Sequence, residues 1–293
     1  MSKTITTKKT LESKSKDSEI ITYCHIGKVG GKRLQFYMRS HFGFSYRCVV
    51  KAIEREYSRQ EMESDLRWNP YLKYIGGHDV RPHVDFGPTE ERLRWFSFFR
   101  DPMSRILSHY YQQTVQQVQD GKHTLSLLEW LTRNPNRGYW QIYMIAGEKN
   151  LAKAKDIIQE KFAFVGLNEH FEQSLLMLAN RFKLDNFRFI DGRSLPKPEK
   201  SEYFQQIQKE MKANQDHIRE LLDEEIQFYD FVANLFDQQR ESYGREKLAA
   251  DLNSHFERLP AVSRYNLKNL IANSIDRLFW RPRNRFLRAS HSK

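Results

Sequence analysis

Residues 19–34 read Glu-Ile-Ile-Thr-Tyr-Cys-His-Ile-Gly-Lys-Val-Gly-Gly-Lys-Arg-Leu, an apolar run that stops at a glycine-rich, lysine-bearing loop before helical spacing begins. That order is the outline of a turn that cradles phosphate. Glycines let backbone N–H groups approach an anion closely, and a helix start adds unpaired N–H groups and the positive end of its dipole. Lys28 and Lys32 add mobile charge. The expected ligand is a nucleotide phosphate or an analogue of one.

Spacing tests the most familiar loop of this kind. A nucleotide-triphosphatase loop places four residues between its first glycine and a Gly-Lys pair, then Ser or Thr to hold Mg²⁺. Here only Lys28, Val29 and Gly30 separate Gly27 from Gly31-Lys32, and Arg33 stands where the metal-binding hydroxyl belongs. A cation cannot ligate Mg²⁺, so the loop favours an anion handled without metal. Glycine can also serve a strand-to-helix turn for geometry alone, and the loop by itself leaves that reading open.

The chain has 293 residues, enough for one large domain or two small ones. Hydrophobic residues at 39% and aromatics at 13% fit a folded chain with a hydrophilic surface and argue against general disorder. Lys plus Arg number 48 against 37 Asp plus Glu, a formal charge of +11, so an anionic partner is expected: nucleotide, acidic glycan, nucleic acid or lipid surface. Cys24 and Cys48 sit in no metal or redox spacing, which fits a reducing compartment. The first 18 residues are polar, rich in Lys, Ser and Thr, and no run of about 18 apolar residues occurs. The expectation is a soluble, cytoplasmic protein.

Strands are expected at Glu19–Ile26, Leu93–Phe99, Phe162–Val165 and Phe187–Ile190, alternating with helices at about 32–41, from 102 onward, and at 124–132, 138–146, 150–160 and 169–183. Residues 52–67 read as a surface helix, and 74–88 as a turn-rich run. Leu93–Phe99 is apolar enough to be buried on both faces, as in a parallel sheet covered by helices. The fold class is therefore α/β, with a central, mostly parallel sheet flanked by helices. Helices are expected over about 201–240, 244–257 and 263–277, dividing the chain into a flexible leader (1–18), a main domain (19–240) and a helical, basic C-terminal extension (241–293). The tail 277–288 interleaves aromatic and basic residues, which suits peripheral contact with a membrane or polyanion, or packing on the core.

The second strand ends in Phe99-Arg100-Asp101-Pro102. Asp101 suits an N-cap and Pro102 a first helical position, but Arg100 has no such structural explanation. Lys28 in one β-loop-α unit and Arg100 in another, with Ser104 and Ser108 on one helix face, make a two-pronged anion site at the carboxyl ends of parallel strands. In these segments the chain resembles the carbohydrate sulfotransferases, in the branch that includes heparan sulfate 2-O-sulfotransferase. The resemblance rests on His25-Ile-Gly-Lys28-Val-Gly-Gly31-Lys32, on Arg100-Asp-Pro-Met-Ser-Arg105-Ile-Leu-Ser108-His-Tyr110, and on Phe164-Val-Gly-Leu-Asn-Glu169, Ser174-Leu-Leu-Met-Leu and Glu225-x-x-x-Tyr229. It runs in order from about residue 20 to 240. Gly27 departs from the family's usual proline, and Lys32-Arg33 from its usual Ser/Thr residues.

The resemblance implies a P-loop-like sulfotransferase fold and 3′-phosphoadenosine-5′-phosphosulfate (PAPS) as donor, without metal. Its sulfuryl group would pass in line to a hydroxyl of a glycan, glycolipid or other acceptor. Lys28 would stabilise charge on the leaving phosphate. Val29, Gly30, Gly31, Lys32 and Arg33 would surround the 5′ end, Arg100 and Ser108 would bind the 3′-phosphate, and Arg193 and Ser194 would join the donor site from a later loop. His78, in Tyr74-Ile-Gly-Gly-His78, lies where the relatives carry their catalytic histidine and would be the general base. Gly76 replaces a first histidine there, so a second imidazole is absent or comes from His83. Two competing classes remain: a P-loop kinase, disfavoured by loop spacing, and a non-catalytic module for an anionic glycan or lipid. No nucleic-acid motif is present.

Overall fold

The computed structural model describes residues 18–49, 56–122, 124–189 and 202–257, with isolated positions at 274 and 278. Five parallel strands form the centre: β1 (Ile20–Cys24), β2 (Tyr46–Val49), β3 (Tyr74–Gly77), β4 (Leu93–Phe99) and β5 (Phe162–Leu167), in the order β2-β3-β1-β4-β5. All of β1 is buried, as are six of the seven residues of β4, because helices cover both sheet faces. From β1 the chain runs to one edge of the sheet, and from β4 to the other. The crevice at their carboxyl ends is the place such sheets leave for a ligand.

Two strands differ from expectation. β3 falls in the run expected to be turns, where Gly76 and Gly77 suggest loop. In the sheet those glycines permit close approach: a Cβ on Gly77 would lie 1.7 Å from the Val49 carbonyl oxygen, and one on Gly76 2.7 Å from Tyr23 Cβ. β2 lies in a stretch with no strand signal, since Arg47 interrupts it. That arginine is buried and held by Asp65 (Nε to Oδ2 2.8 Å), which also accepts from the Tyr57 hydroxyl at 2.6 Å. Conversely, Phe187–Phe189 do not form the expected strand. Phe187 and Phe189 are buried through ring packing instead, with Phe189 stacked on His255 at 4.1 Å.

Helices run as α1 (Gly31–Phe42), α2 (Arg59–Trp68), α3 (Pro102–Gln119), α4 (Leu127–Arg133), α5 (Trp140–Ala146), α6 (Leu151–Lys161), α7 (Phe171–Arg181), α8 (Glu202–Ala213), α9 (Gln215–Leu221), α10 (Asp223–Tyr243) and α11 (Arg245–Glu257). Their starts follow local chemistry. Ser58 with Glu61, and Ser126 with Glu129, form reciprocal capping boxes, and Asp101 caps α3 by accepting the Ser104 N–H at 2.7 Å. A second apolar cluster, including Ile106, Trp130, Ile207 and Leu222, ties α3 to the C-terminal helices. The boundary expected at residue 240 falls inside α10, and Leu248 of α11 is buried in the main core. Among the described residues no helix is long and apolar enough to cross a membrane. The leader 1–17, the loop with Arg193 and Ser194, and the tail 277–288 (apart from Leu278) lie outside the described residues.

Candidate active site

The loop from His25 to Gly30 turns sharply from β1 into α1, with Lys28 at φ 74° and Gly30 at φ 82°. At Gly30 a side chain would meet Phe171 at 2.8 Å as well as demand that left-handed backbone. Gly31 opens the helix where a Cβ would fall 1.7 Å from His25 Nε2. The loop therefore closes around an imidazole because its helix starts without side chains. Gly30 also offers no side chain to cap the first-turn N–H groups, and no acidic residue lies in that turn. The dipole's positive end stays uncompensated there.

Lys28 is half-buried, and its Nζ donates to Gln112 Oε1 on α3 at 2.7 Å. Burial lowers its pKa, and the neighbouring charges of Arg100 and Lys32 lower it further. Its carbonyl accepts from Arg100 Nη1 at 3.1 Å, so the two prongs expected from sequence meet. Arg100 Nε is buried with no hydrogen-bond partner, an orphan donor beside the loop. Ser108 stands half-buried two turns into α3.

His78 follows β3 directly. The register pairs Cys24 with Gly77, so His25 and His78 are the next rung, and their rings stack with centroids 3.9 Å apart. His78 Nδ1 lies 2.8 Å from the His25 carbonyl oxygen; a carbonyl only accepts, so Nδ1 carries the proton and Nε2 keeps its lone pair. Burial lowers the His78 pKa, the bond to His25 opposes this, and Arg81 adds to the lowering. His25 is pushed well below the ordinary imidazole range by burial and by His78, and Gln35 Nε2 donates to its Nδ1 at 3.2 Å.

The second imidazole beside His78 is thus His25. His83 is engaged elsewhere, between Glu56 Oε1 (2.6 Å) and the Ile145 carbonyl (3.2 Å). In the sequence His25 is only the first residue of the loop motif, and its role emerges from the pairing of β3 with β1, which has no local signal.

The other loop residues divide. Val29 is fully buried under the turn. Lys32 is exposed on α1. Arg33 is committed: its N–H donates to the Gly30 carbonyl at 3.0 Å, its guanidinium bonds Glu172 at 2.9 Å, and it lies over the Phe171 ring at 4.4 Å. Its charge is therefore partly spent on α7.

A cavity of about 300 Å³ opens beside the loop, lined by Lys28, His78, Arg81, Arg105, His109, Trp140 and Met144 among others. Burial, with Arg105, Lys28 and Arg137 around it, lowers the His109 pKa to about 4, so that ring stays neutral. A larger cavity of about 560 Å³ lies at the β5 edge, among Phe162, Phe164, Met177 and Tyr243, and holds none of these groups. Among the described residues no cluster of His, Cys, Asp and Glu side chains is placed to hold a metal ion.

A model of the sulfotransferase family matches residues 13–232. No curated protein matches the chain. Among solved structures, a sulfotransferase from Alicyclobacillus acidocaldarius is similar with a TM-score of 0.37 and 16% identity, over 71% of this chain and 96% of that one.

Proposed function

The chain belongs to the sulfotransferase family, and from that premise we propose that it moves a sulfuryl group from PAPS to an acceptor hydroxyl of a carbohydrate or glycoconjugate. The observation that carries this reading is the meeting of the Lys28 loop and Arg100, with the free face of His78 opening on the same cavity. The residues fit such a donor. Gly30 and Gly31 leave a turn without side chains, and the orphan Nε of Arg100 suits a phosphate oxygen.

PAPS supplies a sulfuryl group already attached to a phosphate leaving group. Lys28 Nζ and the uncapped N–H groups of α1 stabilise negative charge that develops on that phosphate. Lys32 adds charge from the rim, and Val29 and Arg33 hold the loop's shape. Arg100, with Ser108, takes the 3′-phosphate, and the later loop with Arg193 and Ser194 is proposed to complete the donor site. His78 Nε2 takes the proton from the acceptor hydroxyl, while the His25 carbonyl holds the opposite N–H and supports the imidazolium that forms.

The test is transfer of labelled sulfate from PAPS to a panel of glycans, glycolipids and small hydroxyl compounds. His78→Asn should lower kcat by about 10²–10⁴ with donor affinity retained. Product formed at the wild-type rate by that variant would remove His78 from the base role.

A further inference from the structure

Two late segments, Phe164–Glu169 and Glu225–Tyr229, have no place in the donor loop or the cavity, yet both converge on Arg100. The fully buried Gln141 side chain pairs with that residue as a neighbouring strand would. Its Oε1 accepts the Arg100 N–H at 3.0 Å and its Nε2 donates to the Arg100 carbonyl at 3.0 Å. Gln141 is itself held from α10, where the buried Glu225 carboxylate accepts the N–H groups of Gln141 (2.9 Å) and Ile142 (3.3 Å) at the start of α5. Glu225 also faces Arg105 Nε at 3.6 Å.

Four residues further along α10, on the same face, Tyr229 repeats the arrangement. Its hydroxyl donates to Glu169 Oε2 at 3.1 Å, and Glu169 Oε1 accepts the Asp101 N–H at 3.1 Å. Three consecutive backbone polar groups, the Arg100 N–H, the Arg100 C=O and the Asp101 N–H, are thereby fixed through one helix. Asp101 and Pro102 already suffice to begin α3. What the extra bonds fix is the backbone that carries the Arg100 guanidinium, whose Nε has no partner.

We propose that Glu225 and Tyr229 are positioning residues which, through Gln141 and Glu169, aim Arg100 at a 3′-phosphate and so set the preference for a 3′-phosphorylated nucleotide. This rests on the donor reading above. Glu169 and Gln141 transmit the effect, and α10 serves as the common frame.

Calorimetric titration of the full chain with adenosine 3′,5′-bisphosphate and with adenosine 5′-phosphate tests it, since the ratio of the two Kd values isolates the 3′-phosphate. Arg100→Ala should lower the ratio more than any other single change, leaving only what Ser108 contributes. Gln141→Leu should reduce it about tenfold and Tyr229→Phe about threefold, with affinity for the 5′-phosphate unchanged. Gln141→Leu should add nothing in the Arg100→Ala background. Equal weakening of both nucleotides, or an unchanged ratio in Gln141→Leu and Tyr229→Phe, overturns the proposal and leaves a structural role only. If Gln141→Leu fails to fold, Tyr229→Phe, which deletes one oxygen, decides alone. A wild-type chain with no preference for the bisphosphate overturns the donor reading itself, and this inference with it.

Discussion

The loop after β1 and the corner after β4 meet through one hydrogen bond but are built on different principles. The loop is held by shape: glycines where a Cβ would collide, a left-handed Lys28, and aromatic rings packed on either side. The corner is held by hydrogen bonds, with Gln141 and Glu169 fixing its backbone from distant parts of the chain. A site held by shape should fail abruptly when volume is added. One held by several bonds should weaken in steps.

The most severe test of the contrast removes the loop's charge and keeps its form. Lys28→Met should lower kcat by about 10²–10³ with little change in Tm. A variant that mainly lost stability would show that the lysine holds the loop's shape, and the division would collapse. Gly31→Ala tests the shape directly. Overpacking against His25 should cost about 1–3 kcal/mol and lower Tm by several degrees. An alanine accepted without loss would mean that the His25 ring moves aside freely.

Acid should also distinguish the regions, because His25 belongs to the loop and His78 stacks on it. His25 and His78 both have folded pKa values below the unfolded value of about 6.5. Below that pH the unfolded chain binds the extra protons first, so stability present above pH 6.5 is lost as pH falls toward the folded values. Tm should therefore fall as the pH is lowered below about 6.5. A slope unchanged in His25→Phe combined with His78→Asn would sink this assignment. The smallest effect belongs to the corner, where Asp101→Ala should cost about 1 kcal/mol in melting experiments. A collapse there as sharp as that of Gly31→Ala would erase the distinction.

The same contrast explains what could be read from the chain. β1, β4 and the helices beside them were legible because their signals are local: apolar runs, Asp101-Pro102, and a glycine turn that resembles a known family's loop. The residues that fix the Arg100 corner were not, since Gln141, Glu169 and Glu225 lie 41, 69 and 125 residues after Arg100 in sequence and act through tertiary contacts. Glu169 and Glu225 could be quoted as family echoes without a reason for their presence. β3 is hidden in the sequence for a physical cause. Its Gly-Gly pair signals a turn locally but permits tight packing between neighbouring strands, and missing β3 hid the adjacency of His25 to His78.

That adjacency ties enzyme competence to alignment during folding. The two rings face each other because Cys24 pairs with Gly77, so a slip of β3 by one position would bring Asp79 to the rung opposite His25 and turn the strand's faces over. The glycine pair guards against the slip, since the His78 side chain cannot enter the space beneath Val49 that Gly77 fills. Chains that zip the sheet incorrectly are thus excluded by bulk before any chemistry begins, and the proposed proton acceptor reaches its place only when β3 pairs in register.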